Sequence, residues 1–227
     1  MNSAVLITGS SNGLGKELAL QYAKGGYDVI IHGRDENSLR GVMKIVLDLG
    51  VRCDAIKGDL RESSTLDSLV GCAREFCIDT LVNNAGMYLK KPALEITGEE
   101  LRKIMEVNFE APVKLTQEIL PIFYKRGGGT IININSVAGR HGSLGEAAYC
   151  ASKHALNGFF DSLRLENVGK GIRVINIVSG SINTRMIGER GDREKSIDPK
   201  EAAKFIVEAT KKYSTLCPDE ILMRKRE

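Results

Sequence analysis

At 227 residues, 42% hydrophobic and 27% charged, the chain has apolar material for a sizeable core and the length of one α/β domain, or less readily of two small ones. A formal net charge of +3 is too small to imply nucleic acid or an anionic membrane as a partner. There is no apolar run long enough for a membrane span and no leader pattern at the start, so the expected compartment is the cytoplasm.

The first predicted element is a strand, Ala4–Ile7, short, apolar and partly β-branched as a buried parallel strand requires. It feeds a turn with Gly9, Gly13 and Gly15, after which Leu14, Leu18, Ala19 and Tyr22 recur at helical spacing until Gly25-Gly26. Strand, glycine turn and helix form the context of a dinucleotide-binding loop, where a pyrophosphate comes close to the backbone at the positive end of a helix. Thr8, Ser10, Ser11 and Asn12 are expected to surround the phosphates. A glycine triplet by itself also fits a turn that binds nothing.

A second strand is predicted at 28–32 and a helix at 36–49, closed by Gly50. Further on come a strand at 53–57 ending in Gly58-Asp59-Leu60, a helix at about 64–76 and a fourth strand at 79–83. Strict alternation with short connections implies right-handed crossovers and a parallel sheet covered on both faces. No linker divides the chain, so one domain spanning 1–227 is expected.

Asn83-Asn84-Ala85-Gly86 follows the fourth strand; its small polar residues can bridge strand ends, and a plain turn would use the same types. Thr97 to Glu100 reads as a capping box, with Ile96 and Leu101 as a hydrophobic staple, opening a helix to about 108. A second helical stretch runs on towards Arg126, with Pro112 and Pro121 expected to begin or kink segments, and ends at Gly127-Gly128-Gly129. The fifth strand, 130–135, delivers Ser136 at the sheet edge where open parallel sheets bind ligands. In the helical stretch 147–166, Tyr149 and Lys153 stand four apart and project from one face. A free phenol titrates near ~10, and an adjacent ammonium stabilises its phenolate, which suits the tyrosine to acid–base work. The same spacing also arises by accident on a helix surface. A sixth strand at 173–178, a helix starting at Asp198-Pro199 and a last strand, Glu220–Met223, complete the chain. The five cysteines are scattered without a C-x-x-C pair and read as reduced thiols, and the three histidines have no partner at metal-ligand spacing, so no metal is expected.

Taken together, Thr8-Gly9-x-x-x-Gly13-x-Gly15, Asn83-Asn84-Ala85-Gly86, Asn108, Ser136 and Tyr149-x-x-x-Lys153 resemble, in order and approximate spacing, the short-chain dehydrogenase/reductase family along nearly the whole chain. The resemblance implies a Rossmann-type doubly wound parallel sheet of about seven strands with helices on both faces. It also implies an NAD or NADP cofactor and a catalytic set of Asn108, Ser136, Tyr149 and Lys153. In that set Tyr149 would exchange a proton with the substrate oxygen and Ser136 would hold that oxygen. Lys153 would lower the Tyr149 pKa and bind the nicotinamide ribose, and Asn108 would position a water leading from Lys153 to solvent. Cofactor positions carried over are Gly9, Ser11, Asn12, Gly13, Leu14, Gly15, Gly33, Arg34, Asp59, Leu60, Asn84, Ala85, Gly86, Gly180, Ile182 and Thr184, besides Tyr149 and Lys153. Asp59 would lie beside the adenine, and Asn83 would brace the sheet.

The family's usual Pro-Gly after the sixth strand is here Ser179-Gly180, which predicts a looser loop. The segment from Arg185 to Ser196 is short and charged; it reads either as a solvated loop or as a substrate cover. By resemblance Tyr88, His141, Ser143, Met186 and Ile187 border the substrate. The function expected is a carbonyl reductase or alcohol dehydrogenase. The alternatives are a 3-oxoacyl-[acyl-carrier-protein] reductase, for which Arg190, Arg193 and Lys195 could meet an acidic carrier, and a nucleotide sensor without turnover. Ala148, Ala151, Ala155, Phe159 and Leu163 on the Tyr149 helix predict a homodimer or homotetramer. For the cofactor, Gly33 stands where NAD-preferring relatives carry an acid, and the following Arg34 can bind a 2′-phosphate through two parallel hydrogen bonds, so NADPH is expected over NAD. Asp35 is the residue that could reverse this by reaching the ribose instead.

Overall fold

The computed structural model describes residues 3–186, 194–212 and 216–226. Seven parallel strands form one sheet in the order β3-β2-β1-β4-β5-β6-β7. They are β1 (Ala4–Ile7), β2 (Asp28–Gly33), β3 (Cys53–Lys57), β4 (Thr80–Asn83), β5 (Gly129–Ser136), β6 (Ile172–Ser179) and β7 (Glu220–Met223). The helices are α1 (Gly13–Lys24), α2 (Glu36–Asp48), α3 (Ser63–Glu75), α4 (Gly98–Met105), α5 (Ala111–Arg126), α6 (Ala147–Glu166) and α7 (Pro199–Ala209). This is the doubly wound Rossmann-type sheet that the sequence leads one to expect.

The two-residue period of the strands sorts the core into two layers. Val5 and Ile7 of β1 pack towards α1, α2 and α7, whose Leu18, Val42 and Ile206 are buried there. Ala4 and Leu6 face the opposite way, towards Leu69 of α3, Leu115 of α5 and Phe160 of α6. β5 and β6 pair along their full length, from Gly129 with Ile172 to Ser136 with Ser179. Inside the sheet a row of amides crosses three strands in register: Asn83 donates to Asn133 (2.9 Å), which donates to Asn176 (3.0 Å).

Helix boundaries follow local chemistry. Thr97 and Glu100 form the reciprocal capping box that opens α4. Asp198 caps α7 by accepting the amides of Lys200 and Glu201. Between α4 and α5 the chain does not break, as two separate helical stretches would; it passes through a π-turn, Glu106–Glu110. Pro112 supplies the cause. It has no N–H to give to the carbonyl of Asn108 four residues back, and its ring crowds that carbonyl, so the turn widens there. Pro121, by contrast, is carried inside α5. Two short 3-10 turns, Ala93–Glu95 and Val137–Gly139, had no signal in the apolar pattern. Among the described residues no helix is long and apolar enough to cross a membrane.

Candidate functional site

Strand β1 has β2 on one side and β4 on the other, so the loops leaving β1 and β4 part and open a crevice at the carboxyl ends of the strands. A cleft of about 530 Å³ occupies it, lined from the glycine turn after β1 to Ser136, Tyr149 and Lys153. Ser11, Asn12, Gly13 and Leu14 line it at the start of α1. The side chain of the α1 N-cap, Asn12, makes no capping bond, and no acidic residue stands in the first turn. The first N–H groups of α1 are therefore presented to a ligand, as an anion requires. A Cβ on Gly15 would come within 2.4 Å of both Asn84 Nδ2 and Gly9 O, so only glycine lets α1 approach the β4 loop this closely. These features fit the diphosphate of a dinucleotide.

Thr8 and Ser10, expected around the phosphates, are buried, engaged in the fold and not among the residues lining the cleft. Thr8 Oγ1 accepts the amides of Asn84 and Ala85 (both 3.1 Å). Ser10 Oγ donates to Ile7 O (2.9 Å) and accepts from His32 N–H (2.9 Å). Asn84 lines the cleft while its amide donates to Thr8 O (2.8 Å) and Gly9 O (3.0 Å), stapling the two diverging loops together.

His32 ties the far end of the cleft. Its Nδ1 accepts the Gly9 N–H (3.2 Å), which places the proton on Nε2, and Nε2 donates to Gly58 O (3.2 Å). Burial pushes its pKa down to about 4, so the ring is neutral at pH 7. Gly33 does not simply leave room for a phosphate: a Cβ there would lie 2.8 Å from Ser11 Cβ, so glycine is needed for β2 to pass the turn. Arg34 lines the cleft. Asp35 is turned away from it, capping α2 by accepting Ser38 N–H at 2.7 Å, a bond that also holds its pKa below the usual carboxylate range. Asp59 and Leu60 line the same end. The Asp59 carboxylate takes both Nε (3.1 Å) and Nη2 (2.8 Å) of Arg61, which, with partial burial opposing it, brings its pKa down to about 2.

At the other end β5 delivers Ser136, and α6 delivers Tyr149 and Lys153, all three buried. Ser136 Oγ accepts Ala138 N–H (3.2 Å). Lys153 Nζ donates to Ile134 O (2.9 Å) and lies 6.0 Å from the centre of the Tyr149 ring. Desolvation lowers its pKa to about 8, which still leaves it mostly charged at pH 7. Asn108 sits in the π-turn behind them. Its amide donates to Met87 O (2.9 Å) and Ser152 Oγ (3.0 Å) and accepts Met87 N–H (2.8 Å), while Ser152 Oγ donates to Tyr149 O (2.7 Å). The Asn108 side chain is thus a brace between the β4 loop and the turn of α6 that carries Tyr149.

Ala85, Gly86, Gly180, Ile182, Thr184 and Met186 line the cleft. Ser179-Gly180 is not a loosened loop. Ser179 ends β6 in register with Ser136 and Met223, and its hydroxyl donates to Asn135 O (3.2 Å). Tyr88 packs against Tyr149, whereas His141 and Ser143 are not among the residues lining the cleft. Ile187, and with it Glu189, Arg190, Asp192 and Arg193 of the charged segment, lie outside the described residues. Residues overlooked in the sequence include His32, Arg61, Met87, Lys103 and Ser152; all but Lys103 stand directly beside or within a stretch already singled out, namely Gly33-Arg34, Asp59-Leu60, Asn83 to Gly86 and Tyr149 to Lys153. Among the described residues no group of three or more His, Cys, Asp or Glu could hold a metal ion.

The family model described as short chain dehydrogenase matches residues 3–195. The ketoacyl reductase HetN of Nostoc sp. (strain PCC 7120) is 33% identical over 220 residues, which cover 93% of this chain and 76% of HetN. Among solved structures, a variant of the actinorhodin polyketide ketoreductase crystallised with NADPH is similar at a TM-score of 0.85 and 29% identity, over 91% of this chain and 89% of its own. A short-chain dehydrogenase from Sphingobium yanoikuyae in complex with NADPH is similar at a TM-score of 0.85 and 29% identity, over 91% of this chain and 84% of its own.

The buried His32 carries a pH signature. Unfolded, it takes up a proton near 6.5; folded, only near 4. The stability its neutral form contributes is therefore complete above pH 6.5 and declines as pH falls to 4, by about 3 kcal/mol at most. Urea unfolding from pH 7 to 4 should show this extra decline in the wild type and not in His32→Asn.

Proposed function

The chain belongs to the short-chain dehydrogenase/reductase family and is an oxidoreductase acting on carbonyl or alcohol groups, and on that premise we propose an NADPH-dependent carbonyl reductase, reversible as an alcohol dehydrogenase, with Tyr149 as acid and base. The observation that carries this reading is that one cleft holds Ser136, Tyr149 and Lys153 at one end and Arg34 at the other, with the open N-terminus of α1 between them. In this reading binding and chemistry share one domain spanning 1–227.

When bound, the nicotinamide supplies or accepts the hydride. Tyr149 gives the proton to the carbonyl oxygen during reduction and takes it back from the alcohol in the reverse direction. Ser136 uses its oxygen to accept the Ala138 amide, which leaves its hydroxyl proton for the substrate oxygen as negative charge develops there. Lys153 has three donors, of which Ile134 O takes one; its charge favours the Tyr149 phenolate, and a remaining donor suits a ribose hydroxyl. The main-chain carbonyl of Asn108, which Pro112 cannot bond, is the group that would hold a water leading from Lys153 to solvent.

Two features support NADPH. Arg34 lines the cleft at the end of β2, and Asp35, the residue that would favour the unphosphorylated ribose, is committed to capping α2. The solved relatives described above with NADPH agree. For the substrate, a ketone with an extended apolar chain, of which a 3-oxoacyl thioester is the second reading, is supported by the name of the Nostoc relative. A panel of simple ketones and 3-oxoacyl thioesters, followed by loss of NADPH absorbance, sorts the two. On α6, Ala148 and Leu163 turn out to be buried within the chain, leaving Ala151, Ala155 and Phe159 as the face offered to a second copy.

Tyr149→Phe should keep NADPH binding and lose at least ~100-fold in kcat, because the ring stays while the transferable proton goes. Near-normal turnover would sink the assignment. Arg34→Ala should raise KM for NADPH about tenfold or more and leave KM for NADH nearly unchanged; a wild-type preference for NADH would overturn the cofactor choice. Light scattering at micromolar concentration should give a dimer or tetramer rather than a particle of 24.8 kDa.

A further inference from the structure

Glu146 breaks a local rule. It is the N-cap of α6, a position where Ser, Thr, Asp or Asn would bond the first free amides, yet its carboxylate makes no capping bond. The side chain turns inward instead, and Tyr88 Oη donates to its Oε1 at 2.6 Å, joining residues 58 apart in sequence. Both residues are buried. A bond that short from a hydroxyl to a carboxylate is of the strong, charge-assisted kind, and the helix N-terminus favours the negative charge.

The tie fixes a ring that matters. Tyr88 meets Tyr149 edge to face, with centroids 5.2 Å apart and planes at 76°. The two loops that carry the pair are joined again by Lys91 N–H to Gly145 O (2.7 Å), and Lys91 Nζ bonds the Glu100 carboxylate (3.0 Å). Met87, next to Tyr88, is held by Asn108 through both its N–H and its carbonyl.

We propose that Tyr88 and Glu146 are a positioning pair for Tyr149. The Tyr149 hydroxyl lies on the axis about which its ring turns, so ring rotation leaves it in place; only a swing about the Cα–Cβ bond carries it off its mark. The Tyr88 ring blocks that swing, and Glu146 anchors Tyr88. Misplacement of a reacting group by ~1 Å can cost ~100-fold in rate, so a partial loosening should be read in kcat. The proposal rests on the reading of Tyr149 as proton donor.

The test uses the full chain with NADPH and the best substrate of the carbonyl panel, and records melting temperature beside kcat and KM. Tyr88→Phe, which keeps the ring and removes the tie, and Glu146→Ala should each lower kcat about tenfold while KM for NADPH stays unchanged. The double variant should be no slower than either single one. Glu146→Gln, whose amide oxygen still accepts from Tyr88, should recover most of the loss seen in Glu146→Ala. Wild-type kcat in Tyr88→Phe, or losses that multiply in the double variant, would overturn the pair, as would a lower melting temperature with kcat unmoved. Where Glu146→Ala does not fold, Tyr88→Phe and Glu146→Gln carry the test between them. Tyr149→Phe serves as control: if it remains active, the reading of Tyr149 itself falls, whereas an inactive Tyr149→Phe beside an unaffected Tyr88→Phe overturns only the positioning.

Discussion

A parallel sheet has no hairpins, so every strand must hand its chain to a loop at the carboxyl end, and neighbouring loops spread where two strands depart to opposite sides of a third. Here that happens at β1, between β2 and β4. The whole site depends on holding this gap open by the right amount. Asn84 does so by donating across it to Thr8 O and Gly9 O, and Gly15 by presenting no side chain at the point of closest approach. His32 holds the outer margin, with Gly9 on one ring nitrogen and Gly58 on the other. None of these bonds needs to touch a reacting atom; together they set the distance between the two ends of the cleft.

Polar groups buried this deeply are costly unless satisfied, and the chain meets that cost with linked amides. The row Asn83, Asn133 and Asn176 continues to Asp161 of α6, so the interior of the sheet is bonded to the helix that carries Tyr149. Asn135 adds a second link, donating to Lys153 O and to Asn157 Oδ1. Lys153 is therefore held at both ends, its carbonyl by Asn135 and its ammonium by Ile134 O. Such networks rigidify when complete. Among the described residues Asn83 Oδ1 is the buried side-chain atom left without a partner, at the margin of the row.

Strands and helix starts were legible because they are local. β3 and β7 coincide with their apolar runs, α6 with its helical pattern, and α4 with the capping box at Thr97. Glycine spacing and the Tyr149–Lys153 interval located the middle of the cleft and one of its ends for the same reason. What stayed hidden depends on residues far apart in the chain. Nothing in the sequence near Thr8 and Ser10 says that their hydroxyls are consumed by Asn84, Ala85 and His32. Nothing near Glu146 names Tyr88 as its partner. The π-turn was half visible: Pro112 marked a disturbance, but only the packed helix shows that the chain widens its turn rather than stopping.

The cap on α2 bears on how the protein can change. A carboxylate that accepts a helix amide stabilises the helix it opens. Asp35 cannot leave Ser38 to greet a ribose without giving up that cap, and an acid introduced two residues earlier, at Gly33, would drive its Cβ into Ser11 on the neighbouring turn. An acid placed against the ribose by either of these two routes thus comes with a weakened fold. Discrimination at this end of the cleft is guarded by mechanical stability, and a lineage shifting its cofactor would first have to rebuild the turn.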